Sequence, residues 1–135
     1  MSIEFKGRVA IVTGAGGGLG KQHALALAAR GAKVLVNDLG GDVHGVGGSV
    51  SAAQAVVDEI RAAGGEAMAN GASVTDAEAV KAMVQQAMDA WGRVDILVNN
   101  AGILRDKSFG KMALTDFKLV MDVHVMGAFH CTHAV

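Results

Sequence analysis

The chain has 135 residues, 51% of them hydrophobic and 19% charged, which excludes a disordered tail and sets one ordinary domain as the ceiling. Lys and Arg total 12 against 13 Asp and Glu, for a net charge of -1 with no basic run, so a protein whose main business is neutralising nucleic-acid phosphates is excluded as well. No apolar stretch approaches the roughly 20 residues of a bilayer span, the start Met1-Ser2-Ile3-Glu4-Phe5-Lys6 lacks the shape of a signal peptide, and the single Cys131 can form no internal disulfide, which together predict a reducing, cytoplasmic setting.

Arg8 to Val12 is a short, continuous apolar run rich in β-branched residues, the pattern of a strand buried on both faces in a parallel sheet. It runs through Thr13-Gly14-Ala15-Gly16-Gly17-Gly18-Leu19-Gly20 into an Ala- and Leu-rich stretch, Lys21 to Arg30, whose spacing predicts a helix stopping at Gly31. Lys33 to Asn37 repeats the strand pattern, a glycine-rich loop follows from Gly40 to Gly48, and a second helix is predicted from about Ser49 to Ala63, closed by Gly64-Gly65. A third strand is placed at about Glu66 to Asn70. A third helix is placed from about Asp76 to Trp91, with Thr75 as its N-cap and Glu78 completing a capping box. Val94 to Val98 reads as strand four, and from about Thr115 the chain is helical again, with Ala113, Phe117, Val120 and Met121 as an apolar stripe.

Strands alternating with helices at this spacing predict an α/β fold, a doubly wound parallel sheet in the order 3-2-1-4, with a ligand crevice at the carboxyl ends of strands one and four. The sequence stops inside a helix after four strands, so the expectation is the N-terminal portion of a Rossmann domain spanning residues 1–135, with strand four left as a bare apolar edge.

Gly14, Gly18 and Gly20 stand directly after a strand and open a helix, the context in which a glycine motif carries meaning. Gly14 allows the tight turn, Gly18 leaves room for a dinucleotide backbone and Gly20 lets the helix press on the sheet, so a pyrophosphate can sit at the helix start. Asp38, at the end of strand two, is placed to accept hydrogen bonds from both hydroxyls of an adenosine ribose. That favours NAD over NADP, because a 2'-phosphate would face a carboxylate and neither Leu39 nor Gly40 supplies an Arg. Lys21 is the one nearby residue that argues the other way.

Thr13-Gly14-x-x-x-Gly18-x-Gly20, together with Asn99-Asn100-Ala101-Gly102 at the end of strand four, resembles the short-chain dehydrogenase/reductase family. Val36 to Gly41, the extended glycine loop to Gly48 and Asn100 to Asp106 look like the (3R)-hydroxyacyl-CoA dehydrogenase part of peroxisomal multifunctional enzymes and their bacterial relatives. The resemblance covers the whole chain and about the first half of the family's domain. It implies that Gly14, Gly18, Leu19 and Gly20 line the pyrophosphate and nicotinamide side and that Asp38 holds the adenosine ribose. It further implies that Ser73 and Val74 stand where the family has Asp-Val at the adenine, Ser73 being a departure, and that Asn100, Ala101 and Gly102 pack beside the cofactor ribose.

The family's catalytic group is an Asn, a Ser and a Tyr-x-x-x-Lys pair, in which Lys lowers the pKa of the Tyr that exchanges the hydroxyl proton. This sequence contains no Tyr, and His124 stands at the family's Asn position, either serving a catalytic water chain or filling a helix. The resemblance therefore implies an NAD-dependent parent enzyme passing hydride between nicotinamide and a secondary alcohol or ketone of the 3-hydroxyacyl-CoA type. This portion by itself is expected to be inactive. The same resemblance implies a homodimer or homotetramer in full length, and a peroxisomal location in a eukaryote. The competing reading is a non-catalytic nucleotide-binding or interaction fragment; a flavin- or sugar-nucleotide-binding Rossmann protein fits the glycine loop but not Asn99 to Gly102.

His124, His130, Cys131 and His133 cluster near the end, but no second ligand pair supports a metal site, and none is assigned. Met83, Met88, Met112, Met121 and Met126 read as core or interface filler. Arg105, Lys107 and Lys111 form a small basic group that reads as a solvated loop before it reads as a phosphate contact.

Overall fold

The computed structural model describes residues 2–40 and 51–135. The predicted glycine loop beyond Gly40 and the first residues of the second predicted helix lie outside the described residues. Four parallel strands, β1 (Val9–Val12), β2 (Lys33–Asn37), β3 (Ala67–Asn70) and β4 (Ile96–Val98), form one sheet in the order β3-β2-β1-β4. The order and the parallel sense match the expectation from the alternating pattern.

Strand residues alternate between two apolar layers, which is why each strand reads as a continuous hydrophobic run. Ala10, Val12, Val34, Val36 and Ala67 face one layer, against α1 (Gly18–Ala29) and α2 (Ser51–Ala62), whose inward positions include Ala24, Ala53, Val56, Val57 and Ile60. Ile11 and Leu35 face the other layer, against Val80, Met83, Val84 and Ala87 of α3 (Ala77–Trp91) and Cys131 of α5 (Gly127–Ala134). Of the five methionines singled out above, only Met83 is fully buried; Met88, Met121 and Met126 are exposed.

Two local expectations are corrected. The α1 helix starts at Gly18, three residues before Lys21, because the Lys21 amide already donates to the Gly17 carbonyl at 3.1 Å and closes the first turn there. Asp76 caps α3, not Thr75: its carboxylate accepts from the Glu78 and Ala79 amides at 3.1 Å each, while the Thr75 hydroxyl is engaged 2.7 Å from that of Ser73. The chain is helical from Leu114 to Ala134, as expected, running through α4 (Leu114–Met121), a π-helical segment, Asp122–Met126, and α5, and the stripe residues Phe117 and Met121 are exposed.

The end of the sheet opposite the crevice is pinned by Asp95, whose carboxylate accepts from the Val9 amide (2.9 Å) and from both arms of Arg93 (2.8 and 2.6 Å), with Arg8 at 3.6 Å. The Arg93 hydrogen bonds and the Val9 amide hold the Asp95 carboxyl below its ordinary value. A carboxyl with a depressed folded pKa stabilises the fold above the unfolded value, roughly 4, and loses that contribution as pH falls through the folded value. Asp95→Asn is therefore expected to lower Tm at pH 7, and the gap from the unsubstituted chain should close as the pH is taken below about 4. A gap of constant size across that range would refute the assignment.

Candidate functional site

At the carboxyl ends of the strands lies a cavity of about 710 Å³, the crevice the topology predicts. Gly14, Gly18, Leu19, Asp38, Ser73, Val74, Asn100, Ala101 and Gly102 all line it. Each strand delivers its own piece of wall: β1 leads into Gly14 and Gly16 to Leu19, β2 into Asp38, β3 into the 72–75 segment and β4 into Asn100 to Ile103.

The glycine turn is shaped by how closely the backbone must pass its neighbours. Gly14 has φ +63°, and a Cβ there would lie 2.8 Å from the Ala101 Cα. Gly18 has φ +55° with open space where a Cβ would stand, so its side faces the cavity. Gly20 is absent from the wall and lies behind it, where a Cβ would run into the Asn100 amide and the Gly14 carbonyl. It is thus the residue that lets α1 approach β4. The start of α1 has no side-chain cap and no acidic residue in its first turn, leaving its first amides and the positive end of the helix dipole directed at the crevice.

Asp38 is fixed within this frame. Its Oδ2 accepts from the Gly16 amide at 2.8 Å and its Oδ1 from the Gly40 amide at 2.7 Å. Gly16 has to be glycine for the same reason, since a Cβ there would be 2.7 Å from the carboxylate. Lys21, the cation that follows the glycine turn, pairs instead with Glu59 of α2 at 3.4 Å. Arg105 of the basic group is likewise engaged, by Asp116 at 2.6 Å.

The opposite wall hangs on Thr13, a motif residue whose role is not legible from spacing alone. Its buried Oγ1 accepts from the Asn100 amide (3.1 Å) and the Ala101 amide (3.0 Å) and donates to the Val98 carbonyl (3.4 Å). The Asn100 side-chain amide donates to the Gly14 carbonyl at 3.1 Å, so the two motifs are stitched together directly. A second polar chain supports the β2 and β3 side. The buried Asn37 amide donates to Asn70 Oδ1 and to the Ala72 carbonyl, each at 3.0 Å, and Asn70 donates to Gln86 of α3 at 2.9 Å. Only contacts between residues distant in sequence reveal either arrangement.

His124 does not line the cavity. Its ring lies against Gly102, where a Cβ would meet Cε1 at 2.6 Å. Its Nε2 accepts from the Ile103 amide (3.1 Å) or, in the other tautomer, donates to the Ile103 carbonyl (3.0 Å). His130 and His133 both contact Phe129, edge-on at 6.1 Å and stacked at 5.3 Å between ring centroids, and His130 Nδ1 meets the Val74 carbonyl at 2.9 Å. Burial pushes the Cys131 thiol up, away from a reactive thiolate. A second, more open groove over β3 and α3 is lined by Met68, Ala82, Gln85, Gln86, Asp89 and Ala90. Asp89, its one charged group, is held by Gln85 at 2.7 Å.

The chain is 59% identical over 134 residues to peroxisomal multifunctional enzyme A of Dictyostelium discoideum, covering 99% of this chain and 30% of the relative. It superposes on a short chain dehydrogenase from Mycobacterium avium with TM-score 0.88 at 49% identity, over 96% of this chain and 45% of the other. A 7α-hydroxysteroid dehydrogenase complexed with NADH and 7-oxo glycochenodeoxycholic acid is similar at TM-score 0.87 and 38% identity, over 98% and 48%. The chain thus spans less than half the length of each of these relatives. Residues 8–135 match the short chain dehydrogenase family, whose glycine turn and Asn-Asn-Ala-Gly segment are here joined through Thr13 and Asn100 at one crevice, and the chain belongs to that family.

Proposed function

We propose that this chain is the NAD-binding portion of a dehydrogenase acting on a secondary alcohol or its ketone, with a 3-hydroxyacyl-CoA as the substrate class. The observation that carries the cofactor is Asp38, a carboxylate held by two backbone amides beside the glycine turn with Lys21 drawn away to Glu59. An oriented carboxylate accepts from ribose hydroxyls and repels a 2'-phosphate. The fit extends to the phosphates, because Gly18 leaves open space in front of the uncapped start of α1. The nicotinamide, when bound, supplies the hydride chemistry.

The roles assigned to this chain's own residues are binding and orientation. Gly14, Gly18 and Leu19 border the pyrophosphate and nicotinamide side, with Gly20 drawing the helix in behind them. Asp38 takes the adenosine ribose, Ser73 and Val74 the adenine end, and Asn100, Ala101 and Gly102 the far ribose. His124 holds Ile103 in place through its main chain and is assigned a positioning role. The chain has no Tyr, so the proton that accompanies hydride transfer is assigned to residues of a longer polypeptide, with dimeric or tetrameric assembly. The substrate class rests on the family resemblance carried by Val36 to Gly41 and Asn100 to Asp106, and a peroxisomal location in a eukaryote follows the peroxisomal relative; among the described residues no helix is long and apolar enough to cross a membrane.

Fluorescence titration with NADH and NADPH tests the cofactor, and oxidation of a 3-hydroxyacyl-CoA by the longer polypeptide tests the reaction. The unsubstituted chain should bind NADH and discriminate against NADPH. Asp38→Ala should weaken NADH about tenfold, the worth of a hydrogen bond to a charged group, and narrow that discrimination. An unchanged NADH-to-NADPH ratio would remove Asp38 from the cofactor site.

A further inference from the structure

The 72–75 segment that follows β3 contributes four consecutive residues to the cavity wall, yet it belongs to no helix or strand. Within it the Ser73 hydroxyl meets the Thr75 hydroxyl at 2.7 Å and the Ser73 carbonyl accepts from the Asp76 amide at 3.1 Å; its place against the sheet is set by contacts from outside. From the sheet side, Asn70 Oδ1 accepts from the Ala72 amide (2.8 Å) and Asn37 donates to the Ala72 carbonyl (3.0 Å). Neither reaches Val74, at the middle of the wall.

Val74 is gripped instead by α5. Its carbonyl lies 2.9 Å from His130 Nδ1, and a Cβ at Gly127 would stand 2.6 Å from Val74 Cγ2. Positions three apart share a helix face, and Cys131 on the same side is buried in the core, so α5 is seated firmly enough to act as an anvil. The π-helical segment just before it, closed by the Gly127 amide on the Asp122 carbonyl, sets the rotation at which this face meets Val74. His130 itself is not among the residues lining the cavity.

We infer that His130 is a positioning residue for the cofactor: from α5 its Nδ1–H holds the Val74 carbonyl, and with Gly127 it keeps the 72–75 wall at the distance a bound nucleotide needs. The inference rests on the reading of the crevice as a nicotinamide-nucleotide site. It requires a donor at position 130, not an imidazole, and it requires that position 127 carry no side chain.

The test is NADH and 5'-AMP titration of the 135-residue chain and of His130→Leu, His130→Gln and Gly127→Ala, with Tm recorded for each. His130→Leu should weaken both ligands about fivefold, the size of one neutral hydrogen bond. His130→Gln, which keeps a donor, should return affinity to within about twofold of the unsubstituted chain. Gly127→Ala should weaken both ligands from the other side of Val74. A His130→Leu chain that binds as tightly as the unsubstituted one, or a Gln variant as weak as Leu, overturns the inference while leaving the cofactor reading intact. Failure of the unsubstituted chain to bind NADH overturns the cofactor reading and this inference with it. If His130→Leu does not fold, the comparison of His130→Gln with Gly127→Ala decides: tight binding by the first and weak by the second supports the inference, and any other pairing overturns it.

Discussion

Gly14→Ala is expected to cost the fold about 3 kcal/mol and to weaken NADH by more than about tenfold. Two separate penalties meet at this position. A left-handed backbone, φ +63° here, costs an L-residue with a side chain about 1–2 kcal/mol. The new methyl would also stand 2.8 Å from the Ala101 Cα and 3.1 Å from its nitrogen, and backbone on the receiving side can yield only if β4 and its following segment shift. That shift moves Asn100 to Gly102, which form one wall of the crevice. Urea denaturation alongside NADH titration reads both effects. Gly110→Ala is the control, because a Cβ there has nothing within 4 Å, and it should stay within about 0.5 kcal/mol. Equal stabilities for the two variants would show that the close approach of Gly14 to Ala101 does not exist.

Thr13→Val should cost about 2 kcal/mol although it preserves size and shape. The buried hydroxyl accepts from the Asn100 and Ala101 amides; Asn100 keeps a second acceptor in the Val98 carbonyl at 3.0 Å, but the Ala101 amide is left facing a methyl group. An amide that loses its acceptor away from water forfeits about 1–3 kcal/mol, more than the net worth of the bond itself. Thr13→Ser restores the oxygen and should recover most of the loss. Hydrogen exchange at the Ala101 amide separates this account from a general loosening: exchange should accelerate there in the Val variant beyond the change in global stability. Uniform acceleration across the sheet would speak against a specific role for the hydroxyl.

The architecture was legible because it is written in local pattern. Val9 to Val12 and Lys33 to Asn37 are continuous β-branched runs, which a strand shows only when both faces are covered, and the helices between them imply parallel pairing and the order of strands. The residues bordering the crevice were legible for a similar reason, since a glycine turn between strand and helix and an acidic residue at the next strand's end sit at fixed separations along the chain. Helix ends were less legible. Thr75 and Asp76 are both good capping residues in sequence, and only the competing bond between Ser73 and Thr75 decides in favour of Asp76. The π-helical widening within the last helix had no sequence signature at all, because no residue type in Asp122 to Met126 marks it; the π-helical turn places Gly127 and His130 against Val74.

What the sequence by itself determined is therefore the set of elements, their order in the sheet and the residues that border the crevice, all consequences of periodicity, turn chemistry and handed connections. Tertiary structure alone decided how those residues are held: Thr13 under Asn100 and Ala101, Asn37 and Asn70 beneath Ala72, Lys21 turned to Glu59, and His130 on Val74. Each of these is a polar contact made by a side chain whose partner lies elsewhere along the chain. Its geometry depends on where two packed layers bring the backbone, and spacing along a sequence carries no record of that.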